Sequence, residues 1–205
     1  MTDDEVLGRP GWTASAVHVL EAGGAEIAIH IRGPATESRT LLALAAALAP
    51  HARRTGASLF VNDRVDIALV ADLDGVQLGG GSLPPERARA LLGARAWVGV
   101  SRHTADGVAG AGSEGADYVF LGTIFPTASH PGVRGIGVAA LVEALRRAKN
   151  VPVLGIGGVG PSEVAELVAA GAYGVAAIRG IWDAPDPGVA VKKYLEGVGN
   201  RREQK

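Results

Sequence analysis

The sequence predicts a parallel α/β fold closed as a TIM (β/α)8-type barrel, and three observations carry that prediction. Short apolar runs alternate with helical segments along the chain, and continuous apolar strands are typical of a sheet covered on both faces. A similar helix-to-strand junction recurs at residues 71–76, 114–119 and 170–175, which favours one unit stacked around an axis. Glycine and polar residues cluster after the strands, as at a barrel mouth. An open doubly wound sheet is the alternative closure.

The elements are predicted in chain order from apolar runs, caps and breakers. Helices are expected at residues 14–22, 39–55 (capped by Thr36 or Ser38), 65–71, 85–92, 104–114, 138–148, 161–170 and 188–197. Strands are expected at residues 25–31, 58–61, 75–78, 96–100, 118–121, 151–156 and 174–178. This count is one strand short of a barrel, so the first strand is expected to be missing or truncated at the N-terminus.

The composition limits the classes of function expected for this chain. The chain has 205 residues, a net charge of −1 and no cysteine, which predicts one domain over residues 1–199 with a disordered tail at 200–205. Near-neutral charge predicts no nucleic-acid partner. The absence of a signal pattern or a long apolar run predicts no membrane association, and the absence of cysteine suits a cytoplasmic location.

The longest loop follows the strand at residues 118–121. It carries the hydroxyls of Thr123, Thr127 and Ser129, the imidazole of His130 and the guanidinium of Arg134. Loops after strands hold the chemistry of α/β proteins, and this one is too long for a simple connector. We expect it to form part of a site, with an ordinary surface loop as the alternative.

Two later segments predict an anion site. Gly157 and Gly158 stand between a strand and a helix, where backbone N–H groups are exposed. Ile178, Arg179 and Gly180 follow the next strand, and these two positions are the usual phosphate seat of barrels. The alternative is that the glycines only form tight turns.

Polar residues also follow the earlier strands. Asn62 and Asp63 end one strand, and Asp63 could help to hold Mg²⁺ or could instead pair with Arg64 or Arg32. Arg32, Gln77 and Ser101 are expected at the same mouth. His30, at the end of its strand, could face either the mouth or the core. His103 and His130 are candidate acid–base groups because imidazole titrates near neutral pH.

Together these segments resemble the thiamine phosphate synthase/TenI family. The resemblance covers about residues 14–185 and rests on FVNDRVDIAL (60–69), DGVQLGGGSLP (74–84), VGVSRHT (98–104), ADYVFLGTIFPTASHPG (116–132), VPVLGIGG (151–158) and GAYGVAAIRGIW (171–182). It implies a TIM barrel. Synthases of the family use Mg²⁺ to join hydroxymethylpyrimidine diphosphate to thiazole phosphate, releasing pyrophosphate, whereas TenI thiazole tautomerases move a proton and need no metal. It also implies that the chain begins just after strand one, as an upstream start codon would explain.

The residues that the resemblance carries over fall into two sets. The thiazole-phosphate set matches the family and comprises Thr127, Ser129, Gly157, Gly158, Ile178 and Arg179, with Arg179 in place of a common serine. The pyrimidine-diphosphate set departs from it. The family's Q-x-R-x-K reads His30 to Pro34 and keeps only Arg32, while its second metal carboxylate is absent from Gly79–Ser82. His130 replaces a lysine, and Gln77 replaces the usual synthase histidine.

These departures favour a TenI-type thiazole tautomerase without a cofactor. The tautomerase histidine falls at Thr123, so His130 or His103 would move the proton. The runner-up is a thiamine phosphate synthase in which Asp63 helps to hold Mg²⁺ while Arg32 and His130 bind pyrophosphate. The third hypothesis is a non-catalytic binder of thiazole or thiamine phosphates. The expected partner is a small phosphorylated thiazole, and a homodimer could cover an open sheet edge.

Overall fold

The computed structural model describes residues 1–127, 132 and 134–199. Its helices are α1 (Asp4–Leu7), α2 (Trp12–Gly23), α3 (Ser38–Thr55), α4 (Val65–Val70), α5 (Pro85–Leu92), α6 (Ala105–Ala111), α7 (Gly137–Arg147), α8 (Pro161–Ala169), α9 (Arg179–Trp182) and α10 (Pro187–Gly199). Its strands are β1 (Ala28–Ile31), β2 (Ser58–Asn62), β3 (Gly75–Leu78), β4 (Trp97–Arg102), β5 (Tyr118–Gly122), β6 (Val153–Ile156) and β7 (Gly174–Ala176).

The strands form a single curled parallel sheet in the order β1-β2-β3-β4-β5-β6-β7. Each strand pairs with the next one along the chain, as in His30 with Phe60 and Asn62 with Gln77. Sequential parallel pairing requires a crossover segment between every two strands, and these crossovers place the helices outside the sheet. All carboxyl ends therefore meet at one rim of the sheet.

The prediction of an eight-stranded barrel is wrong for the described residues, which form seven strands. The first strand of the sheet is present at Ala28–Ile31, in register with β2. Met1 and Thr2 lie between the two edge strands. The backbone N–H of Thr2 donates to the carbonyl of His30 at 3.0 Å, and the amine of Met1 donates to the carbonyl of Ala177 at 3.1 Å. These contacts hydrogen-bond groups of both edges that would otherwise lack partners.

The core has an outer and an inner part. Outside the sheet, two clusters of buried aliphatic residues, including Leu20, Leu48, Leu121 and Leu141, pack beneath the helices. A smaller aromatic cluster of Phe60, Tyr118 and Phe120 fills the concave side. Alternate residues of a strand point to opposite faces, so the same strands supply both parts.

The predicted helices and strands are present in the structure, but their ends and caps differ at particular residues. Residues 25–27 were expected in a strand, but Gly24–Glu26 form a 3₁₀ turn. Neither Thr36 nor Ser38 caps α3: its N-cap is Glu37, and the Thr36 hydroxyl donates to Asp4 at 2.6 Å. The short helices α1 and α9 were not predicted, because one helical turn carries too little apolar periodicity to be recognised. Within the described residues, no helix is both long and apolar enough to cross a bilayer.

Candidate functional site

The rim at the carboxyl ends of the strands brings together most of the predicted polar residues. A cleft of about 350 Å³ opens beyond β1, β2 and β3. Its walls comprise Arg32, Gly33, Pro34, Thr36, Leu41, Asn62, Asp63, Arg64, Gly79, Gly81 and Ser82. Three segments that are far apart in sequence therefore form one concave, polar surface of the kind that binds small molecules.

Asp63 is held in a fixed orientation at this cleft. Its Oδ1 accepts the backbone N–H of Gly79 at 2.8 Å and the hydroxyl of Ser82. The predicted alternative, an ion pair with Arg64 or Arg32, is wrong in the described structure because Arg64 pairs with Asp66. Arg32 forms no ion pair with a described residue, so within that part of the chain no carboxylate neutralises the cation that Arg32 contributes to the cleft.

Two amide side chains lie next to each other in the sheet: Asn62 lines the cleft, and Gln77 is its register partner on β3. Gln77 is fully buried and donates its Nε2 to the hydroxyl of Ser101 at 3.0 Å. The Oε1 of Gln77 and the Oδ1 of Asn62 are buried and accept no hydrogen bond from a described residue. A buried acceptor without a donor costs free energy, and a ligand with N–H groups could satisfy both oxygens.

His30 faces the interior of the sheet rather than solvent. Its ring stacks on Phe60 with centroids 4.6 Å apart and an interplanar angle of 3°. Burial lowers the pKa of His30 well below its usual value, so the ring is neutral. His30 and Phe60 thus form a stacked, uncharged pair on the concave side of the sheet, and Phe120 lies tilted at 46° to the His30 ring.

His103 links β4 to the segment that follows β5. Its Nδ1 lies 2.6 Å from the carbonyl oxygen of Gly122. A carbonyl oxygen only accepts, so Nδ1 is the donor in this contact and carries a proton. The side chain is exposed at the rim, which gives it access to a substrate.

The long loop after β5 is pinned at both ends. Near its start, Ile124 donates to the carbonyl of Ile156 at 2.8 Å and Phe125 donates to that of Gly157 at 2.9 Å. At its far end, Ile136 donates to the carbonyl of Thr123 at 2.9 Å. The predicted residues Ser129 and His130 lie outside the described residues, and Thr127 is the last residue before them.

The glycine segment after β6 fits closely against this loop. Gly158 has a positive φ of 64°, and a Cβ there would overlap the carbonyl oxygen of Pro126 and lie 2.7 Å from that of Phe125. The backbone N–H groups of Gly158 and Val159 meet no acceptor among the described residues. Only glycine tolerates both the positive φ and the close approach of the two carbonyls at position 158, and backbone N–H groups without an acceptor suit an anion.

The predicted neighbour of this segment is in place. The hydroxyl of Tyr194 donates to the carbonyl of Val159 at 2.8 Å, and the same hydroxyl lies against Gly180. The hydroxyl of Tyr194 therefore contacts the backbone after β6 and the backbone after β7, so the two segments predicted to bind an anion lie side by side. We call these two segments together the seat; anion binding there remains a prediction.

Arg179 is already engaged by carboxylates of the N-terminal segment. Its guanidinium lies 2.9 Å from Asp3 Oδ2 and 2.7 Å from Glu5 Oε1. These partners raise the pKa of Arg179 and fix α1 against α9. The assignment of Arg179 to phosphate binding remains a prediction, and its ion pairs give it a structural task as well.

A family model described as thiamine monophosphate synthase (TMP-TENI) matches residues 11–181. The chain belongs to this family. A thiamine-phosphate synthase of Roseiflexus castenholzii is 40% identical over 186 residues, covering 90% of this chain and 81% of that protein. One of Moorella thermoacetica is 40% identical over 196 residues, covering 95% and 91%.

A solved structure of the same family shares the fold. The thiamine phosphate pyrophosphorylase of Pyrococcus furiosus superposes with a TM-score of 0.85 at 30% identity, covering 98% of this chain and 94% of that one. The curated relatives are named synthases, and nothing in them points to the TenI tautomerase branch. The family assignment thus stands, while the predicted branch gains no support from these similarities.

Sequence reasoning missed two residues of this thiamine phosphate synthase/TenI site. Ser82 was read as part of a lost metal motif, yet its hydroxyl binds Asp63. Tyr194 lies on the last helix, where its spacing with Ala190 and Val191 indicates only a core position. No local pattern marks a tyrosine whose hydroxyl reaches 35 residues back along the chain.

Proposed function

We propose that this protein is a thiamine phosphate synthase, which joins hydroxymethylpyrimidine diphosphate to thiazole phosphate and releases pyrophosphate. The observation that carries the proposal is the presence of two anion-compatible regions on one rim. The cleft with Arg32, Asn62 and Asp63 lies beyond β1–β3, and the seat with Gly158 and Val159 lies beyond β6. A tautomerase acts on one phosphorylated substrate, whereas a synthase must hold two.

In this proposal the cleft binds the pyrimidine diphosphate. The ring packs on the stacked pair of His30 and Phe60, and its amino group donates to the free amide oxygens of Asn62 and Gln77. The methylene carbon then exchanges its bond to the diphosphate oxygen for a bond to the thiazole nitrogen. The electron pair of the broken bond leaves with pyrophosphate, and Arg32 stabilises the charge that develops there.

Mg²⁺ fits the cleft only with help from the substrate. Among the described residues there is no group of three acidic or histidine side chains that could hold a metal ion. Asp63 supplies one oriented carboxylate, and Mg²⁺ is commonly bound by one or two carboxylates together with substrate phosphates. When bound there, Mg²⁺ would neutralise charge on the diphosphate.

The seat beyond β6 binds the phosphate of the thiazole substrate in this proposal. Its N–H groups come from the main chain and need no side-chain charge. Relatives named thiamine-phosphate synthase at 40% identity support the synthase activity of the proposal. The altered metal segment weakens the cleft but leaves Asp63 and Arg32 in position.

The deciding experiment measures pyrophosphate and thiamine phosphate formed from the two substrates, with and without Mg²⁺. Equal, steady, Mg²⁺-dependent formation of both products is expected. If the folded protein releases neither product, the synthase proposal is wrong, and saturable thiazole phosphate binding without turnover would then identify a binder.

Two arginine variants test whether the diphosphate binds in the cleft. Arg32→Gln removes the cleft's unpaired guanidinium and should raise the KM of the pyrimidine diphosphate about tenfold or more, while the KM of the thiazole phosphate changes little. Arg54→Gln is the matched control, because Arg54 lies at the far end of α3 and pairs with Glu21. Equal effects of the two variants would contradict the placement of the diphosphate in the cleft.

One observation favours a thiazole tautomerase as the second candidate. The ring of His103 is held beside the loop that contains Thr123, and a neutral imidazole can accept a substrate proton. Isomerisation of the thiazole carboxylate phosphate, lost in His103→Ala, would identify this activity. Full activity of that variant would exclude His103 as the base.

A further inference from the structure

Tyr194 occupies an unusual place for a residue of the last helix. Its side chain is buried in the outer core, with an exposed fraction of 5%, and its hydroxyl donates to the carbonyl of Val159 at 2.8 Å. Val159 directly follows Gly158 in the anion seat. The hydrogen bond therefore connects α10 with the backbone on which phosphate binding depends.

The same hydroxyl also determines how closely the next segment can approach. A Cβ placed on Gly180 would overlap the hydroxyl oxygen of Tyr194 and lie 3.1 Å from its Cζ. Gly180 follows β7, whereas Val159 follows β6. A single oxygen atom thus contacts both halves of the seat, and close packing leaves it no room to shift.

We propose that Tyr194 is a positioning residue whose hydroxyl sets the distance between the Val159 and Gly180 segments and so preorganises the phosphate seat. The identity of the phosphate ligand rests on the proposed function, but the spacing itself does not. Burial raises the pKa of Tyr194 to about 12, so the hydroxyl keeps its proton and remains a donor at working pH. Preorganised N–H groups bind an anion without first paying for rearrangement.

Two single variants perturb this spacing in different ways. Tyr194→Phe keeps the ring but leaves the buried carbonyl of Val159 without its donor, so that segment is no longer fixed. Gly180→Ala keeps the hydroxyl group of Tyr194 but places a methyl group on it, which forces the two segments apart. The double variant lacks the Tyr194 hydroxyl, so part of the space that the methyl group of Ala at position 180 needs is free.

The coupling between these variants distinguishes positioning from simple stabilisation. If Tyr194 only stabilises the fold, the folded variants bind phosphate as tightly as the wild type, whatever coupling their stabilities show. If it sets the spacing, the double variant binds phosphate more tightly than Gly180→Ala alone. A non-additive double-mutant cycle is the expected signature of two groups in contact.

The experiment titrates the ¹⁵N-labelled full chain with inorganic phosphate and follows the amide signals of Gly158, Val159 and Gly180. Tyr194→Phe should weaken phosphate binding about threefold to tenfold, and Gly180→Ala should weaken it further. Tyr173→Phe is the control, because Tyr173 is 58% exposed and precedes β7 at the opposite rim. Thermal unfolding confirms that each variant is folded.

Unchanged phosphate affinity in folded Tyr194→Phe would overturn the proposal, as would a wild-type protein whose seat amides do not respond to phosphate. Additive losses in the double variant would also overturn it. If Gly180→Ala does not fold, recovery of folding in the Tyr194→Phe background supports the proposed contact, and failure to recover contradicts it.

Failure of this inference and failure of the synthase proposal give different results. If the protein shows the coupled phosphate binding but forms no thiamine phosphate, the role of Tyr194 is supported and the synthase assignment is wrong. If the protein forms thiamine phosphate and Tyr194→Phe binds inorganic phosphate as the wild type does, the synthase assignment is supported and the positioning role is wrong.

Discussion

The two ends of the rim present different kinds of chemical group. Beyond β1–β3 the cleft presents side chains: the guanidinium of Arg32, the amide of Asn62 and the carboxylate of Asp63. Beyond β6 and β7 the seat presents main-chain N–H groups, and the side chains there act mainly as spacers. If the proposed function is right, the first region would recognise its ligand through side-chain groups and the second through the arrangement of its backbone N–H groups.

This difference agrees with the departures that the sequence resemblance implies. They fall at His30 and in the Gly79–Ser82 segment, where contacts with a ligand would come from side chains, which can be exchanged one residue at a time. A backbone seat depends on left-handed glycine and on close approach, which almost any substitution destroys.

The largest effect on ligand affinity is expected from a substitution in the backbone region beyond β6. Gly158→Ala places a methyl group onto the carbonyls of Phe125 and Pro126 at a φ that alanine tolerates poorly. We expect thiazole phosphate affinity, measured by calorimetry, to fall more than about a hundredfold. Gly199→Ala is the control, because a Cβ there meets no atom within 4 Å. Retained affinity in Gly158→Ala would show that the seat does not bind the phosphate.

A smaller effect is expected in the side-chain region. Asp63→Asn keeps the size of the side chain but removes the charge that would hold Mg²⁺, so we expect activity at limiting Mg²⁺ to fall roughly tenfold to a hundredfold. Added Mg²⁺ should restore part of the rate. The control is Asp72→Asn: Asp72 has a comparable left-handed backbone, with φ 48° against 62° at Asp63, but lies before β3 at the opposite rim. A Mg²⁺ dependence unchanged in Asp63→Asn would exclude Asp63 as a ligand.

The smallest effect concerns stability against acid. Burial keeps His30 neutral in the folded state, whereas the unfolded chain binds a proton on this ring below pH ~6.5. The free energy of unfolding should therefore fall as the pH drops below ~6.5, by at most ~1.4 kcal/mol per pH unit from this group. His30→Gln should flatten that slope between pH 7.5 and 5.0, as measured by urea unfolding.

His51→Gln serves as the control for the acid prediction, because His51 lies on α3, away from the interior of the sheet. It should leave the acid slope as in the wild type. A slope that His30→Gln does not change would show that His30 takes up a proton in the folded state.

The sequence by itself determined the order of the elements and the rim on which the site lies. Strand and helix patterns are local, and parallel connection forces every segment that follows a strand to one end of the sheet. Asn62, Asp63, Gln77, Gly157 and Gly158 could therefore be placed before any contact was known. The family motifs added the substrates but pointed toward a branch that the relatives do not support.

Only the tertiary structure decided the partners of these residues. The engagement of Arg179 by Asp3 and Glu5, the contact of Asp63 with Ser82, and the closure of the sheet's edges by Met1 and Thr2 all join distant parts of the chain. The position of Tyr194 between two backbone segments is of the same kind. Such contacts depend on how the helices pack around the sheet, and no local pattern records that packing.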